Sequence, residues 1–121
     1  MTRRRLTCHC GAVEVSVRLA TPVSQARRCD CSYCRRRGTA VLSVKLDDLD
    51  IVKGEDALAL YTFNTGTAKH YFCRICGINT HHQRRSNPDE YGVNALAIDG
   101  VGPADIGPAE FYDGVNHPSD A

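Results

Sequence analysis

Seven cysteines fall into three tight groups with none outside them: Cys8 and Cys10, then Cys29, Cys31 and Cys34, then Cys73 and Cys76. Thiols one residue apart make badly strained disulfides, because bridged Cα atoms usually sit about 4.4–6.8 Å apart with their Cβ vectors facing. They are well spaced for metal. At a Zn–S distance of about 2.3 Å the sulfurs of a tetrahedral site lie roughly 3.8 Å apart, whereas an extended strand holds alternate side chains at roughly 6.6–6.8 Å. Each C-x-C pair must therefore sit on a kinked turn. Gly11 and Gly77, each directly following a group, supply the permissive backbone such turns need.

An odd total leaves one thiol over in any all-disulfide scheme, and two pairs plus one triple divide naturally into four ligands and three. Four protein ligands close a structural zinc, while three leave a position for water or substrate. Cys8, Cys10, Cys73 and Cys76 are the expected closed site, and Cys29, Cys31 and Cys34 the open one. The residues alone leave other readings in view: redox-active or merely buried cysteines, an iron–sulfur cluster on the C-x-C-x-x-C triple, or a second structural zinc completed by His70, His81, His82 or His117.

At 121 residues the chain is expected to form one domain over 1–121, its core spanning about 6–115 and a polar tail following at 116–121. Hydrophobic residues at 42 % and no tryptophan promise a modest core, so metal is expected to contribute directly to folding stability. Arg3, Arg4 and Arg5 precede no apolar stretch, and no run approaches membrane-spanning length, which argues against a signal peptide or anchor. Thiols reserved for metal fit a reducing, cytoplasmic compartment. The formal net charge is +1. Seven ionised thiols and two Zn²⁺ would bring the loaded chain to about −2, which argues against general affinity for nucleic acid or anionic membranes.

The pattern between the cysteines reads as all-β. Residues 12–19 alternate strictly, with Val13, Val15, Val17 and Leu19 on one face and Glu14, Ser16 and Arg18 on the other. Further strands are predicted at 39–46, 50–53, 58–63, 67–72, 78–83, 91–98 and 110–112, with a short helical turn at 47–50 and no sustained helical period anywhere.

Charge gathers around the triple. Arg27, Arg28, Arg35, Arg36 and Arg37 flank it, suited either to compensating an anionic zinc–tristhiolate or to holding a substrate carboxylate by bidentate hydrogen bonds. Arg28, Arg35 and Arg36, with Asn94 from a later segment, are the candidate substrate contacts. Asp30, His81 and His82 are candidate proton donors.

Cys8-His9-Cys10-Gly11-Ala12-Val13, Cys29-Asp30-Cys31-Ser32-Tyr33-Cys34-Arg35-Arg36 and Phe72-Cys73-Arg74-Ile75-Cys76-Gly77 occur in that order. The chain thereby resembles the glutathione-dependent formaldehyde-activating enzyme (GFA) family, whose relatives include centromere protein V, and its length suits a short subgroup. The resemblance covers about residues 6–98. It implies an Mss4-like (β-tent) fold, a structural zinc on Cys8, Cys10, Cys73 and Cys76, and a catalytic zinc on Cys29, Cys31 and Cys34. The type reaction it implies is carbon–sulfur lyase chemistry, the condensation of glutathione with formaldehyde to S-hydroxymethylglutathione. The expected partners are accordingly a small thiol such as glutathione and an aldehyde. The alternative is a non-catalytic zinc-fold binding module with both metals structural.

Overall fold

The computed structural model describes residues 3–29, 32–63, 65–84 and 87–106, and the backbone of a last strand at 110–112. Among the described residues, ten strands and one short helix follow in order: β1 (Arg3–Thr7), β2 (Glu14–Arg18), β3 (Arg27–Cys29), α1 (Ser32–Arg37), β4 (Val41–Lys45), β5 (Leu49–Lys53), β6 (Leu58–Tyr61), β7 (Lys69–Cys73), β8 (Asn79–Gln83), β9 (Glu90–Asn94) and β10 (Glu110–Tyr112). They form a three-stranded sheet, β1-β2-β5, and a seven-stranded sheet, β10-β3-β4-β9-β8-β7-β6. Every pairing is antiparallel except β10 with β3. The architecture is the expected all-β, Mss4-like one.

The alternation in β2 does what its period dictates. Val13, Val15 and Val17 are wholly buried, and they join Leu6, Leu42, Val44, Leu49, Val93 and Ile98 in one core. Each fully buried valine contributes roughly 1.5–3 kcal/mol, which is why register in this strand is strongly specified. A bridge between Leu6 and Ile98, a hydrogen bond from Asp99 N to Arg5 O at 2.8 Å, and the Arg5–Asp99 ion pair at 2.6 Å tie β1 to the segment after β9.

Several elements depart from the sequence expectation. β1 and β3 are too charged to show a strand period, and pairing partners supply what local pattern does not. The helix α1 is a six-residue element with no apolar stripe, too short to register as a period. Its end is marked by Gly38, whose N–H donates to Cys34 O at 2.9 Å, and by Arg35, Arg36 and Arg37 in the last turn, where cations favour a helix C-terminus. The strand expected over 91–98 stops at Asn94, because the Asn94 side chain accepts from Leu96 N and turns the chain into a 3₁₀ turn at Ala95–Ala97. The expected helical turn near 47–50 is a 3₁₀ turn at Leu46–Asp48.

Candidate functional site

Two hairpin turns, one from each sheet, bring four sulfurs together. Cys8 leaves β1 into a turn closed by Cys8 N to Val13 O at 3.2 Å and Gly11 N to Cys8 O at 3.4 Å. Cys73 ends β7 in a turn closed by Gly77 N to Cys73 O at 2.8 Å and Cys73 N to Ile78 O at 3.0 Å. Gly11 and Gly77 both adopt φ of 81°, a left-handed conformation that side-chain-bearing residues rarely take, so these two turns need glycine. The sulfurs of Cys8, Cys10, Cys73 and Cys76 all lie within 4.8 Å of one another, and Cys8–Cys10 and Cys10–Cys73 are each 3.7 Å apart. That spacing is what a tetrahedral tetrathiolate zinc requires, roughly 3.8 Å.

Backbone amides prepare the cluster for negative charge. Val13 N donates to Cys8 Sγ at 3.3 Å. Burial alone would raise the Cys76 thiol, but the amides of Cys10 and Ile78 and the neighbouring sulfurs draw it down to about 6. Cys10 receives the Ala12 amide, yet burial and the three facing sulfurs push it up to about 11. Cys8 and Cys73 are buried, Cys76 is half-buried and Cys10 is exposed. Sulfur donors, spacing and amide hydrogen bonds together make this a possible metal site.

The second cysteine group borders the seven-stranded sheet. Cys29 ends β3 and Cys34 lies in α1, both half-buried. Strand register makes Tyr61, His70, His82, Gly92 and Ser43 cross-strand neighbours, hence one face. The Arg27–Val41 pairing puts Cys29 on that face and Arg28 on the other. Tyr33 of α1 lies against this row, its ring centroid 4.5 Å from His70 and 5.3 Å from Phe63, and His70 stacks on His82 at 5.1 Å. Arg37 donates through Nη2 to Cys34 Sγ at 3.4 Å and carries its guanidinium 5.2 Å from the Tyr33 ring centre. Gly92 makes room for His82: a Cβ there would overlap the imidazole and crowd Val41 Cγ1. His82 is held well below the ordinary histidine range by burial first and by the Arg37 charge second, so its ring is neutral.

Residues 3–112 match the glutathione-dependent formaldehyde-activating enzyme family. The chain belongs to that family. A Podospora anserina protein provisionally named a glutathione-dependent formaldehyde-activating enzyme is 27 % identical over 93 residues, 74 % of this chain and 43 % of the relative. The matched chain thus spans less than half of that relative's length. The crystal structure of a Rhodobacter sphaeroides protein, a structural-genomics target, is similar at a TM-score of 0.86 and 56 % identity, covering 89 % of this chain and 99 % of the other.

Within this GFA-family fold the predicted site residues separate. The four structural-site cysteines meet, as just described. His81 and His82, adjacent in sequence, point to opposite faces: His81 is buried against the core side, bonded to Thr80 Oγ1 at 2.8 Å and stacked on Tyr71 at 4.8 Å, while His82 faces α1. Asn94 has both ends of its amide engaged, Nδ2 donating to Asn79 O at 2.9 Å and Oδ1 accepting from Leu96 N at 3.1 Å. Arg35 and Arg36 are exposed, and Arg36 folds back to Ser32 O at 2.7 Å. Asp30, Cys31, His117 and the 116–121 tail lie outside the described residues. Tyr33, Phe63 and the inward-facing Arg37 are site-lining residues that the sequence did not single out individually. The one available signal was Tyr33 and Arg37 bracketing Cys34 at helical spacing. Among the described residues no helix is long and apolar enough to cross a membrane.

Proposed function

We propose that this chain is a zinc enzyme of the carbon–sulfur lyase type that joins, or separates, a small thiol and an aldehyde in a reducing, cytoplasmic setting. The type reaction is glutathione plus formaldehyde giving S-hydroxymethylglutathione. The observation that carries this reading is the family match together with Cys29 and Cys34 presented on a sheet face lined by Tyr33, His70, His82 and Arg37. A structural metal bound in the Cys8–Cys10–Cys73–Cys76 cluster would hold the two sheets together, as its sulfur spacing supports. A zinc held by Cys29, Cys31 and Cys34 would supply a Lewis acid that favours a bound thiolate and polarises a carbonyl.

The chain's own residues complete the chemistry. In the forward direction a carbon–sulfur bond forms, the carbonyl π bond opens, and the thiol proton ends on the new hydroxyl. Arg37 offsets the charge of Cys34 through its 3.4 Å contact, and the rings of Tyr33 and Phe63 shield the face from water. On this reading His82, on the same face, takes the proton of the incoming thiol and returns it to the developing alkoxide. His81 serves the core instead. The test is NMR detection of S-hydroxymethylglutathione formed from ¹³C-formaldehyde and glutathione by protein carrying two zinc ions per chain. Acceleration over the spontaneous reaction that disappears in Cys34→Ser supports the reading. A fully loaded protein that gives no acceleration sinks it and favours a binding module.

A further inference from the structure

Among the described residues the seven-stranded sheet ends at β6, and backbone bonds on both sides of β7 fix which groups of β6 face outward. Arg74 N donates to Ala57 O at 2.9 Å. On the other side of β7, Cys73 N donates to Ile78 O at 3.0 Å and Tyr71 O accepts from Asn79 Nδ2 at 3.0 Å. Cys73 and Tyr71 thus direct their backbone groups toward β8, and their cross-strand partners Leu58 and Leu60 turn theirs away from β7. The Leu58 N–H is taken by Glu55 O in the preceding 3₁₀ turn. The Leu60 N–H and C=O and the Leu58 C=O remain on the edge, where no strand or backbone hydrogen bond among the described residues meets them.

Proteins blunt such edges with charge, proline or a bulge. The other sheet edges follow that rule: β1 carries Arg3, Arg4 and Arg5, β5 carries Asp50 and Lys53, and β10 carries Glu110. β6 does not. It reads Leu-Ala-Leu-Tyr and runs on into Thr62 and Phe63 without a charge or a proline, and Leu60 and Tyr61 are 53 % and 46 % exposed. We propose that this edge is an interface between two copies of the chain, with β6 pairing antiparallel to β6 of the partner subunit about a twofold axis at Leu60. An axis perpendicular to the sheet keeps each face on its own side, so Leu60 lies opposite Leu60 of the partner subunit, with N–H and C=O exchanged. Leu58 O then meets the N–H of Thr62 of the partner subunit, and Ala59 lies opposite Tyr61 of the partner subunit. That last pair sets a methyl against a ring on the face that carries Tyr33, His70 and His82, so each copy adds its Tyr61 to the rim of the other's candidate site. The contact is isologous, consumes the free edge of both copies and closes at two. A strand from another protein would satisfy the same backbone groups. A second copy is favoured because the segment complements itself, small against large on one face and leucine against leucine on the other, with its outward groups in register. The inference stands apart from the chemistry proposed above.

The experiment is sedimentation velocity of the zinc-loaded protein from micromolar to millimolar concentration, with amide hydrogen exchange read residue by residue at both ends of that range. A monomer–dimer equilibrium is expected. The Leu60 amide should be protected only in the concentrated sample, whereas the Ala59 and Tyr61 amides, which face β7, should be protected in both. Leu60→Lys places like charges across the axis, and Leu60→Pro deletes the outward N–H without touching the β6–β7 ladder. Each should raise the dimer dissociation constant at least about tenfold, with melting temperature and zinc content confirming a folded, loaded chain. A protein that stays monomeric throughout overturns the proposal and leaves the edge to a strand of another protein. A dimer that survives both variants also overturns it, because the contact then lies elsewhere. So does a Leu60 amide equally protected at both concentrations in a monomer, since the chain would then cover its own edge.

Discussion

The Cys8–Cys10–Cys73–Cys76 cluster joins two hairpin turns from different sheets, each closed by its own backbone hydrogen bonds, whereas the Cys29–Cys34 region is one short helix laid over a strand row. In the first region backbone amides point at Cys8, Cys10 and Cys76, and two sulfur pairs already stand 3.7 Å apart. In the second, Arg37, His82 and Thr39 keep buried polar atoms that no described residue satisfies. A site built for stability spends its hydrogen bonds internally, and a site built for a ligand holds some in reserve. On the proposed reading, one group of cysteines serves folding and the other chemistry.

The largest effect should come from the first region. Cys73→Ser removes a wholly buried sulfur from the hairpin cluster and is expected to cost several kcal/mol, enough to leave the chain unfolded or aggregated. Circular dichroism melts with zinc analysis would read it. A folded Cys73→Ser protein with wild-type melting temperature would break the division between the regions.

Acid should act next, through the opposite face of the same strand that carries His82. Burial pushes His81 down to about 4 from 6.5, so between those values the unfolded chain holds a proton that the folded chain excludes. This contribution to stability is complete above pH 6.5 and is lost as pH falls from 6.5 to 4, about 3 kcal/mol in all. Urea midpoints across that window should fall for wild type and fall less for His81→Phe, which keeps the stacking on Tyr71. Identical slopes would mean that His81 is not the group responsible.

Gly92→Ala tests the ring packing at the second region. A methyl there meets the His82 imidazole and Val41, a crowding expected to cost about 1–3 kcal/mol. Displacement of His82 should also weaken ligand binding more than zinc binding, measured by titration and metal analysis on the same sample. Smallest of all should be the stability change in Cys34→Ser, under about 1 kcal/mol, because Cys34 is half-buried and sits within a short helix rather than at a hairpin closure. A loss as large as that of Cys73→Ser would erase the contrast between the two regions.

Much of the fold was legible because its strands obey simple periods. The alternation at Val13, Val15 and Val17 predicted a half-buried strand, and the strands near residues 41–45, 49–53, 58–61, 69–73 and 79–83 follow turn residues that mark them. What escaped was local structure without a local pattern. The Arg-rich β1 and β3 are strands only because partners complete their ladders, and six residues of α1 cannot display a helical stripe. Within the site, the sulfur pairs were readable from spacing, since ligand geometry restricts how cysteines can be placed along a chain. The separation of His81 from His82 was not, because alternation says that neighbours diverge but not which face meets the helix.

The sequence alone determined that cysteine turns must converge, that glycine must follow the first and third groups, and that the intervening segments are mostly strands. These are properties of bond lengths, backbone freedom and hydrophobic period, all of which act over a few residues. Only the tertiary structure decided that Arg37 rather than Arg35 or Arg36 turns inward, that Asn94 is occupied by the backbone, and that Tyr33, His70 and His82 line one wall. Those choices depend on strand register and on where a short helix lands, and neither is encoded within a few residues of the side chains they orient.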